Sequence, residues 1–531
     1  MLLNATLLWL TAMTTGALCS PATKSNPSHL DGLIDLGYAK HVPTYVNTTA
    51  SGQRVAIYKN IRFARSPTGE LRFRAPNTKL SRVDGVQDGK VPWRSTDCIA
   101  SAPSYVPFPV NGTTWGREDC LFLDVYVPEG VRPGDKVPVL HNFYGSAYAF
   151  GNKEMFMNPM GLFDLMHKQN LGKFIVVGNN YRMGVSGFTW AADEDLDGNV
   201  GMLDCLAAAE WTAKYIHKFG GHGKRITAIG QSAGAGIIYY LTVLNGGRGK
   251  PLPFQQAFIS SPAAPQRRNV TARQRKMFDM VLEAANCTSL ACLRAAPETT
   301  MLHVNDRLIN QMPSESGGGT IGPVMGFGPA PDGKLIPDMP SVLIKQGRVH
   351  KDLLRLVVGS MALEGKETSH DVGMPGYFPT MVRQQMPAAS NATVQALLDL
   401  YYRPGMEKQL AWDFTTDAVF ACNAYNLANG LPDKTMRYIM STPPAVHGQD
   451  LLYYFYVDEE QTPVNDPELV LAFQTKLLAL VRGEDLAWPA YGADKRMYNV
   501  TERFEATTMP AELRARCDLL NRSVLDQANG A

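Results

Sequence analysis

Gly230-Gln231-Ser232-Ala233-Gly234 sets a serine between two glycines, directly after the apolar, β-branched run Arg225-Ile226-Thr227-Ala228-Ile229 and directly before the apolar run of residues 235–241. A strand read into a helix through a sharp turn would hold the Ser232 hydroxyl outward, with the glycines leaving room where a side chain would collide; this is a nucleophile elbow. A neutral hydroxyl attacks poorly until a base accepts its proton. Histidine suits that task near neutral pH, and an acid must hold the imidazole in the right tautomer. The chain has ten histidines. His370 sits in a polar stretch and reads as a solvated loop residue; His141 lies in an apolar run before Tyr144-Gly145 and reads as structural. For the acid, Glu364 follows the apolar run Val357-Val358-Gly359 by a few residues, at the end of a buried strand. Glu367 and Asp371 could take the same role, or be hydrated loop charges.

The elements that must position these groups alternate. Strand-like runs cover residues 137–140, 174–177, 226–229, 257–259, 354–358 and 452–457, with helical runs at 202–217 and 277–285. Strands alternating with helices predict an α/β fold with a mostly parallel sheet covered by helices on both faces. No composition shift divides the chain, so residues 21–531 are expected to form one domain; the Ser/Gly-rich 314–319 reads as a surface loop.

Several blocks in consistent order resemble the type-B carboxylesterase and cholinesterase family of α/β-hydrolases. They are Asn60-Ile61-Arg62-Phe63-Ala64 with Leu71-Arg72-Phe73 and Ala75-Pro76; Glu118-Asp119-Cys120-Leu121-Phe122-Leu123-Asp124; Asn180-Tyr181-Arg182 with Gly187-Phe188; and Gly198-Asn199-Val200-Gly201-Met202-Leu203-Asp204. Asp332-Gly333, Ile336-Pro337-Asp338, Val358-Gly359 and Glu364-Gly365 continue the match. The resemblance spans roughly residues 40 to 520 and implies the α/β-hydrolase fold. It further implies His447, in Ala445-Val446-His447-Gly448-Gln449-Asp450, as the base for Ser232, with Glu364 as the orienting acid; the chain order Ser, Glu, His is that of α/β-hydrolases. The separation of Glu364 from His447 is short for the family, which implies trimmed loops over the pocket.

The same resemblance places an oxyanion hole on the backbone N–H groups of Ser146, Ala147 and Ala233. The family has a His-Gly-Gly-Gly-like run there, whereas this chain has Tyr144-Gly145-Ser146-Ala147-Tyr148. Only proline would remove a donor, but the added Cβ atoms disfavour positive φ and narrow the site. The Ser146 hydroxyl is a further candidate donor.

With 51 basic and 49 acidic residues the chain is nearly neutral, so nothing in its charge points to nucleic acid or an anionic membrane. No phosphate-cradling glycine loop and no zinc-like Cys/His spacing occurs, so no cofactor and no metal are expected. The apolar segment of residues 2–10, followed by Gly16, Ala17 and Ser20, reads as a signal peptide over residues 1–20, although it lacks a basic n-region; it is too short to span a bilayer.

Cysteine usage fits that secretory expectation. By resemblance, Cys98 pairs with Cys120, Cys287 with Cys292 and Cys422 with Cys517, leaving Cys205 as a buried thiol. Asn47, Asn111, Asn269, Asn286, Asn391, Asn499 and Asn521 each begin an Asn-x-Ser/Thr triplet, and glycosylation would put them on exposed loops. The resemblance implies a secreted serine esterase acting on small-molecule esters. The alternatives are a biosynthetic acyltransferase or cyclase using the same acyl-enzyme, a lipase with residues 105–110 in an apolar flap, or a non-catalytic adhesion protein. The oligomeric state is not readable from the sequence.

Overall fold

The computed structural model describes residues 32–103, 110, 112–268, 270–310, 326–369, 376–462, 464 and 466–530. The signal segment, Asn111, Asn269, His370, Asp371, the loop at 314–319 and residues 105–109 of the flap lie outside them.

An eleven-stranded sheet organises the molecule. In chain order its strands are β1 (Tyr45–Thr48), β2 (Arg54–Arg62), β3 (Phe122–Pro128), β4 (Val137–Phe143), β5 (Ile175–Asn179), β6 (Gly221–Gln231), β7 (Gln256–Ser260), β8 (Arg355–Met361), β9 (Thr435–Met440), β10 (Arg496–Val500) and β11 (Phe504–Thr508). Their spatial order is β11-β10-β9-β8-β7-β6-β4-β5-β3-β2-β1. The strands from β10 across to β5 pair in parallel, and antiparallel strands finish both edges.

Successive side chains of the central strands enter two different cores. Val139, Ala228, Ala257 and Val358 pack in one; Leu140, Ile229, Phe258 and Val357 pack in the other. A strand buried on both faces has no polar side to show, which is why these runs are continuously apolar. Helices α1 (Val200–Tyr215), α2 (Ala233–Leu241), α3 (Thr271–Ala284) and α4 (Glu298–Ile309) contribute to the first core. Helix α7 (Pro467–Arg482) covers the other face through Phe473, Leu477 and Leu478. A third core joins α5 (Cys422–Gly430) to α8 (Ala511–Leu525), where Cys422 is bonded to Cys517.

One expected strand is a helix. Residues 451–454 form the single turn α6 (Leu451–Tyr454), and the sheet resumes only at β10. The run Leu451-Leu452-Tyr453-Tyr454-Phe455 is short and apolar, so its periodicity cannot separate strand from buried helix. Packing decides: the N–H groups of Tyr453 and Tyr454 both donate to the Asp450 carbonyl, and the three aromatic rings are buried in the core shared with α7.

The blocks that carry the family resemblance bond to one another. Arg72 grips Glu118 through Nε–Oε1 and Nη2–Oε2 contacts of 2.6 Å each, and Arg182 grips Asp204 through two contacts of 2.8 Å. Arg62 holds Asp119, and the Asn199 amide donates to Asp332. Two-pronged guanidinium–carboxylate pairs satisfy both charges where burial would otherwise be costly.

Cys98–Cys120, Cys287–Cys292 and Cys422–Cys517 are disulfides, and Cys205 is a buried thiol whose ionisation is pushed up by burial. Among the described residues no helix is long and apolar enough to cross a membrane. The described sequons differ in setting. Asn47, Asn286 and Asn391 are exposed, whereas Asn499 lies half-buried in β10 and Asn521 half-buried on α8, exchanging amide hydrogen bonds with Asn426. Asn286 lies in a turn, whereas regular elements carry Asn47, Asn391, Asn499 and Asn521.

Candidate active site

β6 delivers Ser232 to the C-terminal edge of the parallel strands and α2 leaves immediately, so the turn between them is confined to one residue. Ser232 takes φ 57° and ψ −124°, a region that side-chain-bearing residues rarely occupy. The turn is held from several sides. Ser232 N–H donates to the Ser260 carbonyl, while its own carbonyl accepts the N–H groups of Gly236 and Ala263. A Cβ on Gly234 would lie 1.9 Å from the Phe143 carbonyl oxygen, and one on Gly230 would lie 2.5 Å from the Gly234 backbone. Both glycines are therefore spatial requirements of the elbow.

β8 ends at Met361, and the chain turns so that Glu364 is wholly buried. The turn is tied to the segment carrying His447, for Leu363 N–H donates to the Ala445 carbonyl. His447 Nδ1 lies 2.6 Å from Glu364 Oε2, and its Nε2 lies 2.8 Å from Ser232 Oγ. With a carboxylate as acceptor, Nδ1 carries the proton and Nε2 is left to accept from the serine hydroxyl. The Phe420 ring lies over the imidazole with centroids 4.4 Å apart. The Gln231 amide nitrogen approaches His447 Nε2 at 3.3 Å.

Ser232, Glu364 and His447 thus converge, and of the other sequence candidates the two that are described, His141 and Glu367, do not join them. His141 is buried between Asn179 and Thr212, and burial lowers its pKa to about 4. Glu367 lies beyond the acid with its side chain exposed at the surface, although partial desolvation pushes its carboxyl up.

The loop expected to supply oxyanion donors runs beside the elbow. A Cβ on Gly145 would lie 3.1 Å from Ser232 Cβ. The preference for negative φ expected from the missing glycines is overruled: Ser146, Ala147 and Tyr148 take φ of 95°, 54° and 60°. The reason is an anchor at the loop's end. Tyr148 is fully buried, donates its hydroxyl to the Ala263 carbonyl at 2.7 Å and packs edge-on against Phe188; its carbonyl accepts the Gly184 N–H. Those contacts hold a conformation that costs on the order of 1–3 kcal/mol per residue. Ser146 Oγ is tucked toward Gly151 and makes no hydrogen bond within the described residues. Ala233 opens α2, so its N–H belongs to the first helical turn, whose amides have no partner within the helix.

Behind the histidine is a network that the sequence did not single out. Asp450 Oδ2 accepts from Tyr438 Oη at 2.5 Å and from Ser260 Oγ. Asp450 is fully buried, and burial raises its pKa to about 6 against the hydrogen bonds of Ser260 and Tyr438. Its place three residues after His447 is the one signal that could have drawn notice.

A family model described as "Carboxylesterase family" matches residues 44–472. Among curated proteins, carboxylesterase patB of Aspergillus clavatus is 30% identical over 502 residues, covering 85% of this chain and 86% of that protein. A secreted lipase of Arthroderma benhamiae is 27% identical, covering 77% and 83%. The solved structure of Aspergillus niger EstA superposes with a TM-score of 0.78 at 20% identity, covering 94% of this chain and 99% of that one.

Proposed function

We propose that this chain, which belongs to the carboxylesterase family, is a secreted serine hydrolase of small carboxylic esters that works through an acyl-enzyme on Ser232. The observation that carries the reading is the continuous chain of contacts from Ser232 Oγ through His447 to buried Glu364. In this reading Ser232 Oγ attacks the ester carbonyl carbon as its proton passes to His447 Nε2, and the imidazolium is stabilised by Glu364. The N–H groups of Ser146, Ala147 and Ala233 receive the oxyanion. Collapse breaks the carbon–alkoxy bond, and His447 returns the proton to the departing alcohol. Water then repeats the sequence against the acyl-enzyme and frees the acid.

Secretion is supported by the three disulfides, by a secreted lipase among the relatives and by the apolar N-terminal segment proposed as a signal peptide over residues 1–20. Residues 21–531 would be the mature domain, with glycans favoured at the exposed Asn47, Asn286 and Asn391.

The deciding experiment joins labelling to kinetics. A fluorophosphonate is expected to modify Ser232 alone, and Ser232→Ala is expected to lower ester turnover by about 10⁴-fold or more while far-UV circular dichroism stays unchanged. Label on another serine, or turnover that survives the substitution, overturns the assignment.

A further inference from the structure

Phe420 lies against the imidazole of His447, and an irregular turn puts it there. The helix Glu407–Thr415 and α5 are continuous through Thr416–Ala421, which winds as a single π-helical turn. Such a turn closes its hydrogen bonds over one residue more than an α-helical turn does, and so re-aims the side chains it carries.

The turn is held on both sides of Phe420. Thr416 Oγ1 accepts the N–H of Gly365, the residue after the acid, at 2.9 Å. Asp417 Oδ2 accepts from Arg516 Nε at 2.6 Å and from Tyr401 Oη at 2.9 Å. The Val419 carbonyl accepts the Ala264 N–H at 3.0 Å, and the N–H of the neighbouring Ala263 donates to the Ser232 carbonyl. Cys422, directly after the turn, is bonded to Cys517 of the last long helix. One turn is therefore tied to the acid's segment, to the elbow's segment and to α8. Phe420 itself is buried in the first core, which fixes its ring against the imidazole.

The ring centroids of Phe420 and His447 are 4.4 Å apart, with 36° between their planes. That separation is within the range over which an aromatic face attracts a cation. The face of a phenyl ring is negative and its edge positive, so it attracts an imidazolium more strongly than a neutral imidazole. The charged form arises as Ser232 gives up its proton, and an interaction that strengthens only then lowers the barrier. Glu364 meets the same charge at the Nδ1 edge, while the carboxyls of Asp450 and Glu367 act on the imidazole through space.

We propose that Phe420 is a positioning residue that acts through His447: held by the π-turn, its ring face stabilises the imidazolium formed in the acylation and deacylation transition states. This inference rests on the hydrolase reading.

The test changes the electrons of the ring and keeps its shape. In the full-length protein Phe420 is replaced by 4-fluoro-, 3,5-difluoro- and 3,4,5-trifluorophenylalanine, in which each fluorine withdraws density from the face, and by Phe420→Leu, which removes the ring. Ester hydrolysis on the pH-independent plateau and the second-order rate of fluorophosphonate modification of Ser232 are measured, with melting temperature as the folding control. Both kcat and the modification rate are expected to fall stepwise with fluorine number, reaching about tenfold at three fluorines, with KM nearly unchanged and Phe420→Leu at least as slow as the trifluoro variant. Rates that are equal across the fluorine series, or that fall in no order of fluorine number, overturn the proposal and leave Phe420 a packing residue. If Ser232 of the native protein takes no label, the hydrolase reading fails and this inference falls with it; label taken at a rate indifferent to fluorine removes this inference alone.

Discussion

Glu364 divides its carboxylate between two tasks: Oε1 accepts the Met361 N–H at 3.0 Å, and Oε2 faces His447 Nδ1 at 2.6 Å. The first bond fixes the side chain to the end of β8, so the second is aimed before substrate arrives. Glu364→Gln keeps the shape and can keep the bond to Met361, but it offers His447 an amide in place of a charge. The wrong tautomer then competes and the imidazolium loses its partner. We expect kcat to fall about 10³- to 10⁴-fold with little change in melting temperature, read by steady-state kinetics beside calorimetry.

Asp450 predicts a slope in stability against pH. Its folded pKa of about 6 lies above its ordinary value of 3.8, chiefly through burial, so the folded chain holds this proton more tightly than the unfolded chain. The stabilisation is complete below about pH 4, declines as pH rises to about 6, and is gone above it. Asp450→Asn, which resembles the protonated acid, lacks this component. Between pH 4 and pH 7 the native protein is expected to lose roughly 2 kcal/mol relative to the variant, measured by urea titration at each pH. Parallel curves would show that Asp450 does not titrate in this window.

The positive φ values of Ser146 and Ala147 make a double glycine variant informative. Relief of strain, on the order of 1 kcal/mol per site, is offset by the greater unfolded-state freedom of glycine, about 0.4–1 kcal/mol per site. The net change in stability should be small. The space vacated by two Cβ atoms is not offset, so the ratio of kcat/KM for tertiary-butyl over primary-butyl esters should rise about tenfold or more in Ser146→Gly, Ala147→Gly. An unaltered ratio would move alcohol selectivity to other walls of the pocket.

The disulfides should differ in worth. Cys422–Cys517 spans 95 residues and Cys287–Cys292 spans 5, and chain-entropy scaling assigns them about 5 and about 2 kcal/mol. Paired cysteine-to-alanine variants, compared by chemical denaturation, should keep that order. Cys205 should react with iodoacetamide only after unfolding, since it is buried beside Asn179.

The elbow was legible because its chemistry is local: the positions of Gly230 and Gly234 are dictated by a turn of a few residues, and the runs at 226–229 and 354–358 are apolar because both faces of the sheet are covered. The strand expected over 452–457 does not form because so short an apolar run carries no usable period, and only contact with α7 decides its shape. The φ values of Ser146 and Ala147 contradict their own side-chain preferences, because buried Tyr148 holds the loop from its far end.

By itself the sequence determined the residue types, their order and the alternation that forces a mostly parallel, doubly covered sheet. It could not bring the Ser260 hydroxyl to the Asp450 carboxylate behind His447. Those neighbours lie far apart along the chain and share no periodic pattern. They meet because parallel strands deliver their ends to one edge, and that meeting is a property of strand order in space.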